Sequence, residues 1–166
     1  MYVLFRLAHE GDFEKIREIG MKGLKAAYND FPPAALARIA DEYHSLENLQ
    51  KIIERTKKGR DFFLVAEALN RVAGFCHVSV KGKVCEVKIV AVDDFFQNRG
   101  IGSRLLSKCE TFAREKNCRK YTAWVNGKNT RLRHFYIKNE FRHFEERDRM
   151  DSLKNRLWHM EKPLEN

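Results

Sequence analysis

Apolar residues follow two spacings along this chain, and the switches between them divide it into elements. Met1–Ala8 reads as a first strand. Asp12 is a good N-cap for a helix whose apolar positions Phe13, Ile16, Ile19 and Leu24 carry it to about Tyr28. Phe31-Pro32-Pro33 breaks that pattern. Two further helices are predicted at Ala34–His44 and Ser45–Lys57, with Ser45 capping the second. Phe62–Glu67 and Arg71–Val80 then predict a hairpin across Ala68–Asn70, and Lys81-Gly82-Lys83 turns into a strand at Val84–Val92. A helix over Gly100–Lys116, a strand over Lys120–Val125 and a short helix over Asn129–Lys138 follow. The chain closes on a hairpin of Phe141–Met150 with Asn155–Glu161. This order predicts an α/β (α+β) fold: a mixed, mostly antiparallel sheet of about seven strands flanked by helices, with one parallel crossover.

A length of 166 residues suits one domain with a single core, spanning 1–166, and no repeat, low-complexity tract or long linker divides it. With 43% hydrophobic residues, the chain can bury a sizeable core. Its apolar runs fall short of a membrane span, and the polar stretch Met1–Asp12 lacks the apolar region of a signal peptide. A soluble, cytoplasmic chain with no membrane partner is therefore expected. Cys76, Cys85, Cys109 and Cys118 form no Cys-x-x-Cys pair, and the 6 His are scattered. Free, mostly buried thiols in a reducing compartment are expected, with no metal site.

The net charge of +9 is unevenly spread. Residues 1–50 carry 6 basic and 8 acidic side chains, whereas residues 51–150 carry 23 and 12. A basic half suits a polyanionic ligand, which brings nucleic acid into consideration. The basic residues are interleaved with Glu110, Glu115, Glu145 and Glu146, however, and no DNA- or RNA-binding motif accompanies them. Nucleic acid is thus disfavoured as a partner.

The chemistry concentrates after Val92. Asp93 and Asp94 shape a turn, and the loop Gln97-Asn98-Arg99-Gly100-Ile101-Gly102-Ser103 then opens a helix. Gly100 and Gly102 let the backbone bend and approach a ligand closely. The N–H groups at the helix start lack intrahelical partners and favour an anion, so the loop reads as a phosphate or pyrophosphate cradle. Two known phosphate loops fail the comparison. The dinucleotide fingerprint requires Gly where Leu105 stands, and the nucleotide triphosphatase loop requires Gly-Lys-Ser/Thr where Gly102-Ser103-Arg104 stands.

The loop does resemble the pyrophosphate loop of the GNAT superfamily of N-acetyltransferases, Gln/Arg-x-x-Gly-x-Gly/Ala between a strand and a helix. Taken alone, it also fits an ordinary strand–turn–helix. A second segment decides between them. Asn-Thr-Arg-Leu-Arg-His-Phe-Tyr-Ile-Lys-Asn-Glu-Phe, from Asn129 to Phe141, resembles the family's Asn-x-x-x-x-x-Phe-Tyr-x-x-x-Gly-Phe at the usual distance. The resemblance covers residues 84 to about 148 well and the remainder loosely. It departs at Glu140, where the family has a Gly that ends the helix in a left-handed conformation. Asn139, one position earlier, is expected to take over that role.

The resemblance implies the GNAT fold, with central strands splayed around coenzyme A, and an acetyl transfer from acetyl-CoA to a primary amine. Direct attack in a ternary complex is implied, without a covalent enzyme intermediate or a metal. Acetyl-CoA would lie along Val90–Ser103 and Asn129–Tyr136 and would account for the basic excess. Val90 and Val92 would supply the backbone contacts to the acetyl carbonyl and the pantetheine, and Gln97 to Ser103 would hold the pyrophosphate. Tyr136 would protonate the leaving thiolate, or else only pack with Leu132 on the sheet. Asn129 would hold the coenzyme arm, cap the helix, or do both. Glu86 is the candidate base, alternatively a surface carboxylate paired with Lys88.

Two rivals belong to other classes: a catalytically silent coenzyme A-binding domain acting as a sensor, and a basic nucleic-acid-binding protein. The resemblance also admits a homodimer. The acidic N-terminal segment suggests a cationic acceptor, either a small cationic amine or a protein N-terminus, with Asp30, Asp41, Glu42 and Glu47 near the helix break facing a shared cleft.

Overall fold

The computed structural model describes residues 1–165. Strand β1 (Leu4–Leu7) leads through a 3-10 turn to α1 (Phe13–Ala27), α2 (Pro33–His44) and α3 (Leu46–Lys57). Next come β2 (Asp61–Ala68), β3 (Arg71–Lys81), β4 (Val84–Val92), α4 (Ile101–Glu115), β5 (Lys120–Asn126) and α5 (Thr130–Lys138). The chain ends in β6 (Arg142–His143), β7 (Arg149–Met150) and β8 (Arg156–Pro163). One sheet holds these strands in the order β1-β2-β3-β4-β5-β8-β6, with β7 also paired to β8. β4 and β5 run parallel, joined by α4, and the remaining pairs are antiparallel.

Each face of the sheet buries a separate apolar cluster. Leu105, Leu106 and Cys109 of α4 and Tyr136 of α5 pack on one face against Cys76, Val87, Ala123 and Met160. Ile16 and Ile19 of α1 and Leu49 and Ile53 of α3 pack on the other against Phe63, Val65 and Phe75. Ile16 and Ile19 are among the positions whose helical spacing marked α1, and the apolar stripes and the sheet faces account for one another. All four cysteines are free and buried in the first cluster.

Several ends differ from the sequence expectation. Asp12 does not cap α1 with its side chain. Its carboxylate instead accepts from the His9 N–H (2.9 Å) and pairs with Arg6 (2.8 and 2.9 Å), fixing the turn before the helix. Ser45 caps α3 as expected, accepting from the Asn48 N–H at 3.1 Å. The β2–β3 hairpin closes over Leu69 and Asn70, both left-handed (φ 51° and 59°), the two-residue turn whose twist suits a hairpin. The first arm of the closing hairpin is not one strand. A 3-10 turn at Glu145–Arg147 splits it into β6 and β7. Asp148 explains the split, because its carboxylate takes the His159 N–H (2.8 Å) and the His143 ring (2.9 Å) in place of a backbone rung.

The end of α5 departs most informatively. Asn139 keeps φ −92°, and Glu140 itself adopts the left-handed conformation at φ 71°. The Phe141 N–H reaches the Tyr136 carbonyl (3.0 Å) and the Glu140 N–H reaches that of Ile137 (3.0 Å). That is a Schellman end, and it is completed by the rings of Phe141 and Tyr136, 5.0 Å apart. The hydrogen bonds demand a positive φ at that one position, so the residue there complies whatever its identity. For a residue with a Cβ this costs about 1–2 kcal/mol. Glu140→Gly should therefore stabilise the protein by about 1 kcal/mol, net of the extra chain entropy of Gly, and raise Tm by about 2–4 °C. Thermal unfolding followed by circular dichroism checks this; an unchanged or lower Tm would show that the position carries no strain.

His44, at the end of α2, packs its ring against Gly20 of α1, where any Cβ would fall 2.4 Å from Nε2. The side chain is 3% exposed, and Nε2 has no hydrogen-bond partner. Burial lowers its pKa to about 4, with Arg17 adding to the effect. The unfolded chain, with an ordinary imidazole near ~6.5, binds this proton first, so stability falls as pH drops from about 6.5 toward 4. The shift corresponds to a loss on the order of 3 kcal/mol across that window. Asp61, held near 2 by His77, Arg55 and Ser79 against the opposing effect of burial, loses its contribution only below that window. Urea unfolding at stepped pH should show the decline in the wild type, and His44→Phe should flatten it. A parallel decline in the variant would assign the effect to other groups.

Candidate functional site

A single extra residue in β4 creates the opening at the centre of the sheet. Val78 of β3 pairs with Val87 and His77 pairs with Ile89, leaving Lys88 as a bulge. The bulge shifts the alternation of side chains by one. Cys85 and Val87 before it, and Val90 and Val92 after it, consequently all pack toward α4, while Ile89 and Ala91 face α1 and α3. On its other side β4 pairs with β5 only from Val84↔Lys120 to Val87↔Ala123. From Lys88 to Val92 the two strands part. The Asp93 N–H donates to the Ala73 carbonyl in β3 (2.8 Å), and strand alternation then turns the backbone of Val92 and Val90 toward the gap.

The loop stands at the outer end of this gap. Asp93 accepts from the Phe95 N–H (2.9 Å) and pairs with Lys15 (3.1 Å), fixing the turn. Asn98 and Gly100 are left-handed (φ 60° and 78°), with Arg99 of opposite hand between them. Such alternation directs successive N–H groups into one concavity. The first bond of α4 runs from the Arg104 N–H to the Gly100 carbonyl (3.1 Å), so Ile101, Gly102 and Ser103 have N–H groups with no partner inside the helix. Ile101 is buried, its side chain packed in the core cluster beneath α4. Gly102 lets α4 approach α5: a Cβ there would lie 3.2 Å from the Phe135 ring and 3.6 Å from Val92. Gln97 donates to the Val92 carbonyl (3.0 Å) and to Asp94 (3.1 Å), and accepts from Arg131 (2.7 Å). An open strand edge leading to a nest of N–H groups fits a thin, extended ligand that ends in a pyrophosphate.

The candidate side chains gather around the same gap. Tyr136 is 3% exposed, its ring set between Phe135 (5.4 Å) and Phe141 (5.0 Å). Burial pushes its phenol well above the ordinary range, with Cys76 and Glu86 acting in the same direction. Cys76 pairs with Val90 across β3 and β4, so the hydroxyl lies near the Val90 end of the opening. Asn129 caps α5, accepting from the Leu132 N–H at 3.2 Å, which leaves its amide NH2 for another partner. Glu86 is bound to Lys88 at 2.6 Å, on the strand just before the bulge. The sequence reading takes Lys88 only as a partner for Glu86, takes Phe135 only as part of the Phe-Tyr segment, and gives Arg131 no role. A bulge has no residue signature of its own, and the contact of Phe135 with Gly102 arises only where α4 and α5 meet.

A cleft of about 290 Å³ opens beside Asn129, between the α1–α2 break and the β5–α5 loop. Tyr28, Asp30 and Phe31 line one side; Asn126, Lys128 and Arg131 line the other. The four carboxylates expected to share a cleft do not. Asp30 alone lines this one; Asp41 and Glu42 are exposed on α2, and Glu47 is 81% exposed on α3 and paired with Lys51. They follow the periodicity of their own helices, which turns them outward. With Lys128 and Arg131 opposite Asp30, the cleft is mixed in charge rather than acidic.

Among solved structures the fold closely matches the PaiA N-acetyltransferase of Thermoplasma acidophilum in complex with coenzyme A. The TM-score is 0.87 at 22% identity, covering 99% of this chain and 100% of that one. Ard1 of Thermoplasma volcanium matches at 0.80 and 19% identity over the whole of both chains. YncA of Salmonella typhimurium, solved with its cofactor acetyl-CoA, matches at 0.75 and 19% identity over 100% of this chain and 96% of that one. No curated protein sequence matches significantly. At these identities the likeness concerns the fold. The acetyltransferase (GNAT) family model, however, matches the sequence itself over residues 23–141, from α1 through the loop, α5 and Phe141, and the chain belongs to that family.

Proposed function

We propose that the protein transfers the acetyl group of acetyl-CoA to the nitrogen of a primary amine by direct attack. The observation that carries this reading is the gap after Val87↔Ala123, which has the N–H nest of α4 at one end and Tyr136 beside it. The name of the PaiA relative, an N-acetyltransferase, supports nitrogen as the acceptor atom. The pyrophosphate is held by the backbone of Gln97, Asn98, Arg99, Gly100, Ile101, Gly102 and Ser103. The pantetheine lies along the open edge of β4, within reach of the Val92 backbone and the Asn129 amide.

The Val90 N–H, fixed in the strand, donates to the thioester oxygen as negative charge develops there. The amine enters from the side of the α1–α2 break, where a small cationic amine or a protein N-terminus meets Asp30. Its ammonium loses one proton to Glu86, the free amine attacks the carbonyl carbon, and the nitrogen sheds its second proton to solvent as the amide forms. As the C–S bond breaks, Tyr136 gives its proton to the sulfur. Solvent then removes the proton from Glu86 and restores the phenol. An ordinary phenol already carries its proton at neutral pH, so Tyr136 is in the donor form when the thiolate leaves.

Tyr136→Phe keeps the ring and removes the donor. With protonation limiting, kcat should fall about 100-fold, with little change in acetyl-CoA affinity. Free-thiol release with a panel of amines and N-terminal peptides measures the first, and calorimetry the second. Unaltered turnover would refute the acid role, and binding without turnover in the wild type would favour a silent coenzyme A sensor. Gly102→Glu places a carboxylate at the anion site and crowds Phe135, so acetyl-CoA affinity should drop about 100-fold or more while the far-UV circular dichroism is kept. Unchanged affinity in a folded variant would remove the loop from the binding site.

A further inference from the structure

Arg131 differs from the ion-paired arginines of this chain in the partner that it holds. Arg6, Arg55, Arg114, Arg147 and Arg156 are each paired with a carboxylate. Among the described residues, Arg131 takes part in no ion pair, and its hydrogen-bond partner is a neutral amide, Gln97 Oε1 at 2.7 Å. It is exposed, in the first turn of α5, and reaches a residue 34 positions earlier in the chain. The contact therefore ties α5 to the start of the anion loop from across the groove.

The loop side of this contact is rigid. Gln97 Nε2 is already committed to the Val92 carbonyl (3.0 Å) and to Asp94 (3.1 Å), which holds Oε1 toward α5. The α5 side is equally well placed, because the Asn129 cap fixes the first turn that carries Arg131. A full positive charge is thus held beside a nest of N–H groups by one hydrogen bond to a neutral acceptor. Exchanging that acceptor for a phosphate oxygen replaces a neutral hydrogen bond with a charge-assisted one, and the planar guanidinium can meet two oxygens at once.

We propose that Arg131 is a pyrophosphate ligand, supplied by α5 to complete the site whose other wall is the N-terminus of α4. The bond to Gln97 is its resting position, and ligand binding moves the guanidinium from Gln97 Oε1 to a phosphate oxygen. The pyrophosphate is then clamped from both sides of the groove. This clamp rests on the acetyl-CoA reading given above and extends it to a residue at a position that the Asn129–Phe141 pattern leaves open.

The test is calorimetric titration of the wild type and Arg131→Gln with coenzyme A and with 3′-dephospho-coenzyme A, each at low and high salt. Arg131→Gln should weaken both ligands by a similar factor of about 10 to 100, the range for a hydrogen bond to a charged group. It should also make the affinity less sensitive to salt, because one screened attraction is gone. Unchanged affinity would overturn the proposal. A loss confined to coenzyme A would do so too, by assigning Arg131 to the 3′-phosphate. An equal loss with undiminished salt sensitivity would likewise overturn it, by showing that Arg131 only shapes the loop. Failure of the wild type to bind either ligand would instead sink the acetyl-CoA reading itself, so the two failures are distinguishable.

Discussion

The end of pairing between β4 and β5 is the constraint on which the rest of the structure depends. Two parallel strands inside a sheet normally satisfy each other's backbone groups along their length. Here the register stops at Val87↔Ala123, and the bulge at Lys88 turns β4 onto a new phase. That leaves backbone polar groups of Val90 and Val92 directed into a gap rather than at a neighbouring strand. The Gln97 side chain meets the Val92 carbonyl. Among the described residues no comparable side-chain bond reaches the Val90 backbone, where a ligand's own polar groups would complete the sheet. Binding at such a place needs little from side chains, because the sheet itself supplies the donors.

The helices around the gap are held so that it stays open. Gly102 brings α4 against Phe135 of α5, and the Schellman end of α5 sets Phe141 on Tyr136. Tyr136 is therefore fixed by packing on both sides, not by a hydrogen bond to its hydroxyl that a ligand would have to displace. Glu140 shows how strongly this end is determined. Its neighbours impose a left-handed backbone on a residue that resists it, and the exposed pair with Lys162 (3.2 Å) offers little in return. The geometry of the Tyr136 ring takes precedence over local conformational preference.

Much of this was legible in the sequence, and the limits follow from physics. Strand β4, the capped start of α3 and the extent of α4 and α5 follow from periodicity and capping residues, because those signals are local. The sharp turn at Gly100 and the place of the hairpin at Ala68–Asn70 follow from the residues there, whereas the left-handed backbone of Leu69 is set by the strands that it joins. The bulge at Lys88 was not legible, since a bulge is a property of two strands and depends on how His77 and Val78 pair. Nor was the break between β6 and β7, which Asp148 causes by bonding to His143 and His159, one on each side of the split. The supposed acidic cleft failed for a related reason. Sequence proximity placed Asp41, Glu42 and Glu47 near the helix break, but helical rotation turned them outward, and Lys128 and Arg131 came in from another element.

A site made from backbone geometry also explains how this fold persists at low identity. The likeness to the PaiA structure reaches a TM-score of 0.87 at 22% identity. In the proposed site the N–H groups of Ile101 to Ser103 and of Val90 would be the same with almost any side chain attached. What has to be kept is the small set of residues that shapes the backbone: glycines where α4 must start sharply or approach α5, a cap at Asn129, and a ring at Tyr136. The Arg131 side chain reaches Gln97 from a position that the Asn129–Phe141 pattern leaves open. In the proposed site most of the donors therefore lie in the backbone, and a side chain that the fold does not need adds grip on the ligand.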